Sequence, residues 1–164
     1  MGTKTSLNRL FLLLIILLGI LSCSQSYEKQ KTVDFEKQYW HRDSIVSLQF
    51  IPEANQKYNL SFLIRNDNEY PYSNLFLIGS ISDGKNKIVD TLEYDMADAE
   101  GNWLGTGVGE IKESKLVFKK NYLFKDTIPY IISVQHAVRK TGNIKGDKIA
   151  KGITNVGIII EKSE

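Results

Sequence analysis

Polar and apolar residues alternate one for one along much of this chain, a period that a β-strand satisfies and an α-helix does not. In Ser44–Phe50 the apolar side chains Val46, Leu48 and Phe50 share one face. In Tyr58–Arg65, Tyr58, Leu60, Phe62 and Ile64 do the same. Ser73–Ile81 is apolar on both faces through Leu75, Phe76, Leu77 and Ile78, which predicts a central strand. Lys87–Asp95 places Leu92 and Tyr94 inward against Thr91, Glu93 and Asp95 outward. Ser114–Lys119 predicts a fifth strand, and Ile128–Val138 a sixth with Ile128, Tyr130, Ile132 and Val134 aligned. Ile153–Glu161 closes the series with Val156, Ile158 and Ile160 aligned. Asn66-Asp67-Asn68, Pro71 and Asp83-Gly84 supply breaks and turns between the runs. No window of comparable length carries a helical stripe. The pattern predicts an all-β chain, a single antiparallel β-sandwich with no helix longer than about three turns after residue 40.

The first thirty residues obey a different rule. Lys4 and Arg9 precede Leu10–Leu21, a run of 12 residues that is apolar apart from Gly19. As a helix it would be roughly 18 Å long, too short for a bilayer core of about 30 Å. A buried helix would need cover on every side, because the run has no polar face. Both its length and its basic flank fit a signal peptide. Gly19-Ile20-Leu21-Ser22-Cys23 then resembles a lipobox, the cleavage signal of bacterial lipoproteins. That resemblance implies a cleaved segment 1–22 and a Cys23 that carries a thioether diacylglycerol and an acyl chain, such as palmitate, on its amine. One chain binds membranes marginally, whereas several anchor a protein stably. Residues 23–32 read as a lipidated polar tether and 33–164 as the sandwich domain. Ser24 stands where an Asp can retain lipoproteins in the inner membrane, and no acidic cluster follows Cys23. The expected location is therefore the periplasmic face of the outer membrane, with the lipid as membrane partner.

Composition removes several function classes. There are 21 Lys plus Arg against 19 Asp plus Glu, and Lys4 and Arg9 leave with the signal segment, so the mature domain is close to neutral. It lacks the basic stripe of a nucleic-acid binder, and no nucleic-acid partner is expected. A single cysteine makes neither an internal disulfide nor a cysteine-based zinc site.

The residues that could carry chemistry are ordinary ones in ordinary places. His41 and His136 are the only histidines, and neither sits in a His-Glu-x-x-His motif. No Gly-x-Ser-x-Gly elbow occurs. His136 reads as a packed or surface residue and His41 as a cap on the sandwich. Glu93 and Asp95 stand two apart on one strand face, roughly 6–7 Å by strand rise. Glycosidases pair carboxylates at such spacings, but solvent-facing strands are full of them. Asp98-Ala99-Glu100-Gly101-Asn102 offers oxygen ligands and a turn glycine without EF-hand spacing, so a solvated turn is the simpler reading than calcium. Gly105, Gly107 and Gly109 lack the Lys-Ser/Thr of a phosphate loop. Trp103-Leu104 beside them either plugs the end of the sandwich or contacts a partner. No catalytic residue, metal site or cofactor is assigned beyond the covalent lipid on Cys23, and the chain is read as no enzyme.

Several stretches together resemble the GldH family of gliding-motility lipoproteins. They are Asp90–Lys119, Ser73–Ile78, the segment Gln135-His136-Ala137-Val138-Arg139 and the segment Gly152-Ile153-Thr154-Asn155-Val156-Gly157. The resemblance runs from the lipobox to the C-terminus. It implies an outer-membrane lipoprotein of the gliding-motility and associated protein-secretion machinery, a non-enzymatic assembly or stabilising component with other machinery proteins as partners. The candidate contact residues are Trp103, Leu104, Gly105, Gly107 and Gly109. The alternative is a carbohydrate- or calcium-binding sandwich using Asp98–Asn102 or exposed tyrosines such as Tyr70 and Tyr72.

Overall fold

The computed structural model describes residues 28–139 and 146–163. Segment 1–22, Cys23 and the start of the tether lie outside the described residues. Ten strands run in chain order: β1 (Lys29–Asp34), β2 (Tyr39–His41), β3 (Val46–Phe50), β4 (Gln56–Asn66), β5 (Asn74–Ser82), β6 (Lys87–Asp95), β7 (Lys112–Phe124), β8 (Tyr130–His136), β9 (Ile149–Lys151) and β10 (Ile153–Lys162). One four-stranded sheet has the order β1-β10-β4-β7 and the other β3-β8-β5-β6, with β2-β9 a small ribbon beside them. Every pairing is antiparallel.

The alternating residues explain why the two sheets face one another. Tyr58, Leu60, Phe62 and Ile64 of β4 are fully buried, as are Val156, Ile158 and Ile160 of β10. Against them lie Val46, Leu48 and Phe50 of β3, Leu75 and Leu77 of β5, and Ile132 and Val134 of β8. Each such side chain contributes about 1.5–3 kcal/mol of burial, so the interlayer is the main driving force for this fold. Gly79 of β5 lets the Phe118 ring of β7 approach from the other sheet, since a Cβ there would sit 2.7 Å from that ring. β5 is central in its sheet, as its apolar run predicted.

The structure corrects the sequence reading at five strands. Lys29–Thr32, expected as tether, belongs to β1 and pairs with Ile160 through Gly157 of β10. Being an edge strand, β1 is held by backbone hydrogen bonds while its side chains stay wet, so no periodicity betrays it. β7 continues past Lys119 to Phe124, crossing Lys119-Lys120-Asn121 through register shifts opposite Tyr58, Leu60 and Ser61. β8 starts at Tyr130; Ile128 is exposed outside the strand, and Pro129 between them has no N–H to donate to a central ladder. β2 and β9, three residues each, had no signal, yet they bury Trp40 completely.

The two ends of the sandwich are distinct places. Lys29 stands opposite Ile160, whereas Asn66 stands opposite both Ile153 and Lys112. Chain entry at β1 and the start of β7 are thus at opposite ends of the same sheet, about 20 Å apart by strand rise.

Candidate partner-contact loop

Residues 96–111 carry the chain from β6 in one sheet to β7 in the other. The crossover folds on itself twice. In its first half the Asp98 carboxylate accepts the backbone N–H groups of Glu100 and Asn102 and the Asn102 side-chain amide. These bonds, the Asn102 amide foremost, hold the Asp98 carboxyl below its ordinary pKa. Gly101 turns the chain at φ 87°, and Ala97 then pairs with Trp103. Both Asp98 oxygens thus accept hydrogen bonds within a turn, the simpler of the two readings of Asp98–Asn102. Among the described residues no three His, Cys, Asp or Glu side chains converge on a metal position.

This turn splits the Trp103-Leu104 pair. Trp103 packs against the core, its ring centroid 6.3 Å from that of Tyr70, and its indole N–H donates to Asn68 Oδ1 at 3.1 Å. Leu104 points outward and is 56% exposed. The two answers open at the sequence level therefore divide between neighbours: Trp103 plugs, Leu104 is presented.

In the second half Thr106 and Glu113 exchange both backbone hydrogen bonds, 2.9 and 2.7 Å long, making a hairpin on the edge of β7. A Cβ at Gly105 would lie 2.8 Å from Ser114 Oγ and 2.9 Å from the Glu113 carbonyl oxygen. One at Gly107 would collide with the Ile111 carbonyl oxygen. Gly109 has φ 74° with open space around it. Gly105 and Gly107 therefore serve close approach of the chain to itself, and of the three only Gly109 is a free turn. The hairpin is pinned by Lys112 Nζ on the Gly107 carbonyl and flanked by a 2.6 Å Arg65–Glu113 ion pair. Its tip carries Val108, fully exposed, and Ile111, half exposed. Sequence reasoning passed over both, although an apolar residue between two glycines is itself a signal.

The other candidate residues lie elsewhere on the sandwich. Glu93 faces outward and accepts from the Asn74 amide; Asp95, its neighbour on the face, is exposed. His41 is half-buried beside Asp43, while His136 is fully buried against Trp40. Tyr70 is not the exposed residue expected: it is buried, its hydroxyl donates to the Asn74 carbonyl at 2.7 Å, and burial pushes its pKa up. Tyr72 is half-buried and donates to Asp147 at 2.6 Å, a bond that raises its pKa to about 12. Both hydroxyls donate within the domain.

Comparison with known proteins points in one direction. The profile of the GldH lipoprotein family matches residues 26–160. The chain is 41% identical over 157 residues to a gliding motility lipoprotein GldH homolog of Christiangramia forsetii, covering 94% of each. It is 39% identical over 158 residues to the gliding motility lipoprotein GldH of Flavobacterium johnsoniae, covering 93% of this chain and 96% of that protein. Among solved structures, the infectious bursal disease virus VP2 subviral particle overlays 85% of this chain and 34% of its own, at a TM-score of 0.33 and 12% identity. That is too distant to mark a shared fold.

Proposed function

Because this chain belongs to the GldH lipoprotein family, we propose that it is a lipid-anchored component of the gliding-motility machinery and its associated protein secretion, held on the periplasmic face of the outer membrane. It acts by assembling or stabilising other machinery proteins, not by catalysis. The observation that carries this reading is the extent of the family match, which runs through the sandwich and both halves of the β6–β7 crossover. The anchor is Cys23, with residues 1–22 removed. Cys23→Ala is expected to abolish acyl labelling and to leave the uncleaved precursor. Equal labelling of variant and wild type would overturn the anchor.

The contact surface is the crossover hairpin, with Leu104, Val108 and Ile111 as the presented apolar groups and Trp103, Gly105, Gly107 and Gly109 as the residues that shape it. Its position supports this. The chain between Cys23 and Lys29 can span at most about 20 Å. That span leads into one end of the sheet, and the hairpin stands at the other. A patch of apolar side chains held on a braced hairpin is the kind of surface that hot spots occupy. The double variant Leu104→Ser, Val108→Ser should leave the unfolding free energy within about 0.5 kcal/mol, because both residues are already exposed. It should nevertheless lose its crosslinks to other proteins, and fail to restore movement to a gliding cell deprived of its own relative. Retained crosslinks and restored movement would remove the hairpin from the interface.

A further inference from the structure

The end of the sandwich where β1 begins has a composition unlike the other. Lys29, Lys57, Lys85, Lys87, Lys120 and Lys125 are all exposed, and none has an ion-pair partner among the described residues. They come from five different segments: β1, the start of β4, the β5–β6 turn and its exit, the end of β7, and the loop after it. The sheets bring these segments together. Phe50 at the end of β3 packs on Tyr58 and Phe124, with ring centroids 5.0 and 6.0 Å away, and Phe124 packs on Tyr130 at 4.7 Å. The acids among the described residues at this end are Glu28 and Glu53, which share Lys162, Glu161 on Lys115, Asp83, a charged carboxylate hydrogen-bonded within its own turn, and Asp126. At the far end stand Asp95, Asp98, Glu100 and Glu110 around the hairpin. Lysines without ion-pair partners therefore gather at one end, while at the other Lys112, Lys148 and Lys151 stand among a larger number of acids, an asymmetry that overall neutrality conceals.

A second observation falls on the same end. Ile51, Leu123 and Ile128 are 57%, 43% and 38% exposed there. Exposed aliphatic side chains among unpaired lysines make an interfacial composition: the aliphatic groups suit the headgroup–acyl boundary and the ammonium groups suit phosphates.

We propose that this lysine-rich end docks on anionic phospholipid headgroups, so that the domain stands on the membrane with its strands steep and the β6–β7 hairpin turned away. The proposal rests on the Cys23 anchor and adds an orientation to it. Charge complementarity identifies the occupant, and so does the chain itself: Cys23 lies only six residues before Lys29, so the lipid cannot be far from these lysines. The repulsion of the acids at the other end from the same surface works in the same sense. Screening limits the effect to within about a Debye length, roughly 10 Å at 0.1 M salt, which is why the short reach matters.

The test uses the mature lipidated chain added to preformed vesicles of phosphatidylcholine, with or without phosphatidylglycerol. Lysines are acetylated with a membrane-impermeant reagent and read one by one by mass spectrometry. On anionic vesicles Lys57, Lys120 and Lys125 should react roughly threefold more slowly, or less still, than on neutral ones. Lys112, Lys148 and Lys151 at the other end should be unchanged, and high salt should remove the difference. The variant Lys120→Glu, Lys125→Glu, altered only at exposed positions, should lose the protection of Lys57. Co-flotation with both vesicle types but equal rates at every lysine would overturn the orientation and leave the anchor standing. Failure to float with neutral vesicles would overturn the anchor itself. Protection found in cells but not on anionic vesicles would assign this end to a protein and overturn the proposal.

Discussion

Phe62→Ala should lower the unfolding free energy by about 3–5 kcal/mol, read as a fall in the urea midpoint of the detergent-solubilised protein. The size reflects what surrounds the ring. Phe62 is fully buried in the middle of β4 and stacks on Phe118 at 4.9 Å, with the planes 21° apart. Phe118 in turn rests on the backbone of β5, where Gly79 leaves no side chain to move. A cavity at Phe62 is therefore walled by two ladders of backbone hydrogen bonds, which cannot collapse inward as a flexible side chain could. Unrelaxed cavities fall at the upper end of the range for large-to-small changes. Against a typical total of about 5–15 kcal/mol, this is a large fraction of stability. Val117→Ser, on the same sheet but facing solvent, should stay within about 0.5 kcal/mol. A loss below that threshold for Phe62→Ala would mean the two sheets do not pack as described.

Phe62 also shows what the sequence could reveal. Where a strand buries one face, burial imposes alternation and the alternation is written in the residues, as in β3. Where a strand is held by its backbone alone, as in β1, or passes a bulge, as in β7 near Asn121, the side chains carry no such record. The loop obeyed the same logic. Trp103-Leu104 beside three glycines marked the segment as unusual, but which neighbour turned inward depended on Asn68 and Tyr70, more than thirty residues away. Tyr70, between Glu69 and Pro71, was read as a surface residue, and only the tertiary structure closes over it. The lysine-rich end was invisible for a related reason. Its six lysines are scattered along the chain and cancelled in the net charge by acids that the fold gathers elsewhere.

His136 gives the second large effect, and its sign can be worked out from burial. The imidazole is fully buried, edge-on to the Trp40 ring at 5.2 Å, and neither Nδ1 nor Nε2 makes a hydrogen bond of ordinary geometry. Burial disfavours the charged ring and outweighs the nearby backbone of Trp40 and Lys148, lowering its pKa from 6.5 to about 4. The unfolded chain therefore takes up a proton near pH 6.5 that the folded protein refuses until near pH 4. The stability tied to the neutral ring is complete above about pH 6.5 and is lost as the pH falls towards 4, with a slope approaching about 1.4 kcal/mol per unit. The accumulated loss is at most about 3 kcal/mol, and below about pH 4 this group adds nothing further. Asp83 and Asp98, whose carboxyls are held below their ordinary pKa by hydrogen bonds within their turns, fall in a separate window. Asp83, held at about 2 by the N–H groups of its turn, withdraws its contribution only as the pH drops below its ordinary 3.8. Urea midpoints at about pH 7.5, 5.5 and 4.5 isolate the histidine for that reason. His136→Leu, which removes the titrating group and suits the apolar site beside Trp40, should flatten the profile across those three points. If wild type and His136→Leu lose stability in parallel across that range, the buried imidazole is not what titrates.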